Sequence, residues 1–116
     1  MRNTIDCAVR AVAKALDTDW HTAKALIAVK AYNIGGMDSG NATWGEVLHD
    51  HGFRKALIPD TCPYCYTAAD FARDNPRGVF VLGFGSHVAT LEDGILYDSW
   101  DSSREIPQYY WYLPEV

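Results

Sequence analysis

Residues 86–100 read SHVATLEDGILYDSW. HVATL reads as one strand, EDG as a turn and ILYDS as the returning strand. An Asp-Gly pair between two short β-prone runs is a strong hairpin signal, because such turns need backbone angles that these residues tolerate. A hairpin turning near Asp93-Gly94 sets His87 near the start of one strand and Asp98 near the end of the other. Pairing brings those ends within side-chain reach. A histidine beside a carboxylate supplies two members of a catalytic triad, so the question becomes whether the chain also holds a nucleophile.

Outward from the hairpin, the second half of the chain continues in β pattern. GVFVLGFG precedes it, and YYWYL follows between Pro107 and Pro114. Strands in chain order with a tight turn predict antiparallel pairing. Residues 5–51 read as helices instead. Thr4 or Asp6 can cap a first helix over CAVRAVAKAL, with Val9, Val12 and Leu16 as its apolar stripe. A cap within Asp17-Thr18-Asp19 opens a second, WHTAKALIAVKAYN, with Trp20, Ala23, Ile27 and Ala31 on one side and Gly35-Gly36 at its end. Thr43 is read as the cap of a third helix, TWGEVLHDH, ended by Gly52. FRKALI is a strand stopped by Pro59, TCPYC a turn, and Thr67 opens a fourth helix broken at Pro76. Helices first and strands afterwards predict an α+β fold.

With 116 residues the chain is expected to form a single domain, residues 1–116. Its 48% apolar and 22% charged residues are those of a globular protein. A net charge of −5 argues against nucleic-acid binding by phosphate neutralisation. The longest apolar run, VFVLGFG, is too short to span a bilayer. The N-terminal stretch lacks the uninterrupted apolar core of a signal peptide, so a cytoplasmic location is expected, with no membrane partner. Three cysteines, Cys7, Cys62 and Cys65, are an odd number, so free thiols are expected rather than a disulfide framework.

Cys7 stands at the start of the first helix, in TIDCAVRA. Aligned peptide dipoles place about half a positive charge at a helix N-terminus, which stabilises a thiolate there. A strand histidine can take the thiol proton and an acidic group can orient the imidazole. Cys7, His87 and Asp98 supply all three parts. A cysteine among alanines can equally be a small buried apolar residue. It is the three together, in this order, that argue for catalysis.

That order resembles the papain-like cysteine peptidases. More closely, RNTIDCAVRAVAKAL, TAADFARDNPRGVFVLGFGSHVATLEDGILYDSWDS and the aromatic YYWY look like a family of small papain-like proteins common in bacteriophages and their hosts. The resemblance implies a papain-like fold, with Cys7 as nucleophile, His87 as base and then acid, and Asp98 as orienting group. It implies no cofactor, a protein or peptide substrate that includes host proteins, and the host cytoplasm as the location if phage-encoded. Papain-like enzymes place a glutamine a few residues before the cysteine as an oxyanion donor. Here Asn3 is the only amide upstream of Cys7, and it becomes the candidate. The chain is much shorter than papain, so a shallow groove is expected.

Other residues offer other chemistry. Cys62-Pro63-Tyr64-Cys65 has the spacing of a glutaredoxin redox motif, but antiparallel strands follow where alternating strand-helix units would be needed. His49, His51, Cys62 and Cys65 are four potential zinc ligands, although alternate helix residues diverge by roughly 200°. Tyr109, Trp111 and Leu113 are expected in the core, with Tyr110 and Tyr112 on the opposite face. Trp44 is a candidate groove wall, and Trp100 a shield for the His–Asp pair. The expected function is a cysteine peptidase or related thiol hydrolase. The competing one is a non-catalytic phage protein that binds a host factor on the same scaffold.

Overall fold

The computed structural model describes residues 4–35, 41–59, 65–85, 87–98 and 101–114. Among these lie helices α1 (Thr4–Ala15), α2 (Trp20–Ile34), α3 (Asn41–Asp50) and α4 (Ala68–Asp74). The strands are β1 (Arg54–Leu57), β2 (Val79–Gly83), β3 (Val88–Glu92), β4 (Ile95–Tyr97) and β5 (Tyr109–Tyr112). The strands form one sheet in the order β1-β5-β2-β3-β4, antiparallel throughout. The fold is α+β.

Alternation along the strands builds two cores, one on each face of the sheet. Val81, Val88 and Trp111 point to a core shared with Val9 and Val12 of α1, Ile27 of α2 and Leu48 of α3. Leu82, Ala89 and Leu91 point the other way, onto Ala68 and Phe71 of α4. Tyr110 joins this second core, its ring centroid 5.0 Å from that of Phe71. Leu113 does not follow Trp111 inward. It lies past the end of β5, where no strand pairing holds it, and is exposed.

The helix boundaries follow local chemistry. Asp19 caps α2 by accepting the Thr22 N–H at 2.6 Å, and Gly35 ends it at φ 69°. Ala23, Ile27 and Ala31 are buried as the periodicity requires. Trp20 is not: it opens the helix, before the packed turns, and stands exposed with its ring edge-on to His21. α1 begins at Thr4, so Thr4 and Asp6 lie within the helix rather than before it. α3 likewise begins two residues before Thr43, whose side chain is buried beside Trp44 instead of capping. Leu16 falls just past α1 and packs, half-buried, against the same core.

Thr67 caps α4 as expected. Its hydroxyl accepts the Asp70 N–H, and the Asp70 carboxylate accepts the Thr67 N–H at 3.0 Å. These bonds, the backbone one foremost, hold the Asp70 carboxyl below its ordinary 3.8. A depressed carboxyl adds stability above its ordinary pKa and loses it as pH falls through the depressed value. Thr67→Ala is therefore expected to cost about 1 kcal/mol in urea unfolding at pH 7. The gap from wild type should narrow in strong acid, where the protonated Asp70 carboxyl no longer accepts the Thr67 O–H, and a gap that widened there would contradict the box.

The sheet also holds α1 in register. Thr90 of β3 is fully buried, and its hydroxyl donates to the Ala11 carbonyl of α1 at 2.7 Å. A buried hydroxyl must find such a partner, so this bond ties the cysteine helix to the strand that follows His87.

Candidate active site

The turn between β2 and β3 closes when the Phe84 N–H donates to the His87 carbonyl at 2.7 Å. This delivers His87 to the mouth of β3. Thr90 pairs with Tyr97, so continuing the register sets Asp98 level with Ala89, diagonal to His87 rather than directly opposite. The diagonal is spanned by the two side chains. His87 Nε2 lies 2.5 Å from Asp98 Oδ2, and the side chains are only 7% and 6% exposed. The Phe84 ring stacks on the imidazole at 5.8 Å and an interplanar angle of 19°. In such shielded surroundings a hydrogen bond between these groups is stronger than in water.

Asp98 is itself held. Ser102, fully buried, donates its hydroxyl to the same carboxylate oxygen at 2.7 Å. The loop that carries Ser102 is pinned to the start of α4, where the N–H groups of Ala68 and Ala69 donate to the carbonyls of Glu105 and Ser103. Helix-start N–H groups lack partners within the helix, so a loop that supplies carbonyls is well anchored there. A chain of contacts thus runs from α4 through Ser102 to Asp98 and His87. Ser102 was not singled out in the sequence. Four residues after Asp98 in a polar loop, it carries no local signal, and its value depends wholly on how the loop turns back.

Cys7 is the fourth residue of α1, within its first turn, and is a buried thiol outside any disulfide. It lines a cavity of about 330 Å³ together with Arg10, Lys14, Val88, Tyr97 and Asp98. The fold therefore brings Cys7 and the carboxylate partner of His87 to the walls of one cavity, across 91 residues of sequence (98 minus 7). Lys14 is fixed in that wall by two contacts. Its Nζ bonds Glu92 at 3.1 Å, which raises its pKa, and rests 4.0 Å from the centre of the Tyr97 ring.

The remaining sequence candidates fare differently. Asn3, Cys62 and Trp100 lie outside the described residues. Trp44 is not a groove wall. It is 1% exposed in the core, its ring near those of Tyr109 and Trp111, because Thr43, Trp44, Val47 and Leu48 all lie on the buried side of α3. Cys65 is disulfide-bonded, so the expectation of free thiols does not extend to it. A sulfur so committed is not a thiolate ligand, which removes it from the set with His49 and His51. His51, just past α3, donates from Nδ1 to the Val47 carbonyl of that helix at 2.8 Å, and His49 is exposed beside Glu46 and Asp50. That exposed group needs no ion, since Lys30 already pairs with Asp50.

Near the site, the Tyr109 hydroxyl is shielded from water and has no hydrogen-bond partner among the described residues. Leaving a buried donor unpaired costs on the order of 1–3 kcal/mol. Burial first, and the neighbouring Cys7 second, push its pKa above the ordinary 10.

No protein-family model, curated protein or solved structure matches this chain.

Proposed function

We propose that the chain is a papain-like thiol hydrolase that acts on an amide, isopeptide or thioester bond through Cys7, His87 and Asp98. The observation that carries this reading is the buried His87–Asp98 pair at 2.5 Å, whose carboxylate shares a cavity with the Cys7 thiol. Asp98 engages Nε2, so a proton exchanged with Cys7 passes through Nδ1. His87 takes the thiol proton as Sγ attacks the carbonyl carbon. The tetrahedral adduct collapses as the bond to the leaving group breaks, and His87 returns the proton to that group. Water, activated by the same imidazole, then cleaves the S–C bond and restores the thiol. Asp98 orients the ring and steadies the imidazolium, and Ser102 keeps the carboxylate in place.

Several features support a papain-like architecture: a cysteine in the first turn of an N-terminal helix, packed on an antiparallel sheet whose later strands bring the histidine and carboxylate. The cavity, at the small end of ligand pockets, suits a side chain or two of a protein or peptide substrate.

A generic acyl donor tests the reading without knowledge of the substrate. Wild type mixed with p-nitrophenyl acetate is expected to release a burst of nitrophenolate and to carry an acetyl group on Cys7 by mass spectrometry. Cys7→Ala should show neither. If wild type releases nitrophenolate no faster than Cys7→Ala, the hydrolase reading fails and a host-factor binding role takes its place.

A further inference from the structure

Tyr109 begins β5 and pairs with Gly83 of β2, which in turn pairs with Val88 of β3. The three residues stand at one level of the sheet. Tyr109 and Val88 pack on the same face, the one covered by α1. A Cβ built on Gly83 would fall 2.0 Å from Tyr109 Cζ and nearly as close to both Cε atoms. The tip of the ring therefore lies across Gly83, and Oη continues along the sheet from β5 toward β3. Val88, next along that line, forms a wall of the Cys7 cavity. The ring is also held in place, roughly parallel to Trp44 at 6.4 Å, with Lys55 Nζ 4.6 Å from its centroid.

The hydroxyl at the end of this ring is a buried donor without a partner among the described residues. A native fold seldom strands such a group, and one beside a nucleophile calls for a functional account. Tyr109 packs against the same core cluster as Cys7, and its hydroxyl makes no bond to the sulfur. That is the placement an oxyanion donor takes, because the carbonyl oxygen of a tetrahedral adduct lies between sulfur and donor. A phenol, whose ordinary pKa is about 10, is protonated at neutral pH and so remains a donor, and burial moves this one further the same way.

We infer that Tyr109 is a catalytic residue whose hydroxyl donates a hydrogen bond to the oxyanion formed when Cys7 attacks a carbonyl, with Gly83 as the gap that lets the ring reach it. This rests on the hydrolase reading above. In the step, Sγ bonds the carbonyl carbon, the π electron pair moves onto oxygen, and the Tyr109 O–H stabilises that charge without giving up its proton. Collapse returns the pair and expels the leaving group. A preorganised donor aimed at a developing charge is typically worth a factor of 10²–10³ in rate.

Two reagents separate this role from others. Acetylation of Cys7 by p-nitrophenyl acetate passes through an oxyanion; alkylation by iodoacetamide displaces iodide and forms none. Tyr109→Phe is expected to slow acetylation about 100-fold while alkylation against pH stays within about twofold. Its Tm should hold or rise, since the variant deletes only an unpaired hydroxyl. Rapid acetylation of wild type matched by Tyr109→Phe would leave the hydrolase reading standing and overturn this one. Equal slowing of both reagents would mean that the hydroxyl serves the thiolate, which also overturns it, as would a fall in Tm. If wild type itself acetylates no faster than Cys7→Ala, the hydrolase reading fails and the Tyr109 role with it.

Discussion

His87→Ala is expected to slow acetylation of Cys7 by p-nitrophenyl acetate by about 10²- to 10⁴-fold at neutral pH, the range of a positioned general base. The variant removes the side chain that Asp98 and the Phe84 ring both hold at the mouth of β3. Unlike Tyr109→Phe, it should also slow iodoacetamide alkylation, because the attacking species in both reactions is the thiolate. The loss should narrow as pH rises, since hydroxide then takes over deprotonation of the thiol. Asp98 becomes a buried carboxylate that keeps its Ser102 bond and loses its imidazole, so some stability goes with the activity. Urea unfolding of the variant separates the two effects. Cys7 of a folded His87→Ala protein that reacts at the wild-type rate with both reagents would rule His87 out as the base.

The second large effect is structural. Gly83→Ala adds one methyl where a Cβ would meet the Tyr109 ring at 2.0 Å, well inside van der Waals contact. Gly83 sits in the central strand, paired on one side with Tyr109 and on the other with Val88, so the backbone has little freedom to yield. The ring must swing off the sheet and abandon its place beside Trp44. Overpacking of this kind costs typically 1–3 kcal/mol, and the displaced aromatic adds to it. A fall in Tm of roughly 10 °C is expected. Tyr109→Ala in the same chain should recover part of the loss, because it removes the clash. The coupling measured by such a double-mutant cycle isolates the contact between the two positions. A Gly83→Ala protein as stable as wild type would show that the ring does not lie across Gly83.

Much of this was legible locally. Alternation and the Asp93-Gly94 turn give β3 and β4, and with them the approach of His87 to Asp98. Asp93 does take a positive φ of 51°, the left-handed conformation that aspartate tolerates better than most residues. Asp19 and Thr67 cap their helices because an oxygen three residues before an unpaired N–H is a short-range arrangement. Elsewhere the deciding information is not local. An aromatic at a helix entry is locally available to a groove, and only the packing of α3 against Tyr109 and Trp111 buries Trp44. Thr43 has the chemistry of a cap, but the helix begins two residues earlier.

The amino-acid order by itself determined the α+β character, the hairpin and the three residues offered for catalysis, since periodicity, turn chemistry and capping act between near neighbours. Only the tertiary structure decided what surrounds them. Ser102 reaches Asp98 because a loop is anchored on α4, and Cys7 meets the Asp98 cavity because α1 is tied to β3 through Thr90. Tyr109 reaches across Gly83 because two strands 26 positions apart (109 minus 83) are paired. Each of these depends on which surfaces are buried together, and burial is a property of the whole packed chain that no window of sequence contains.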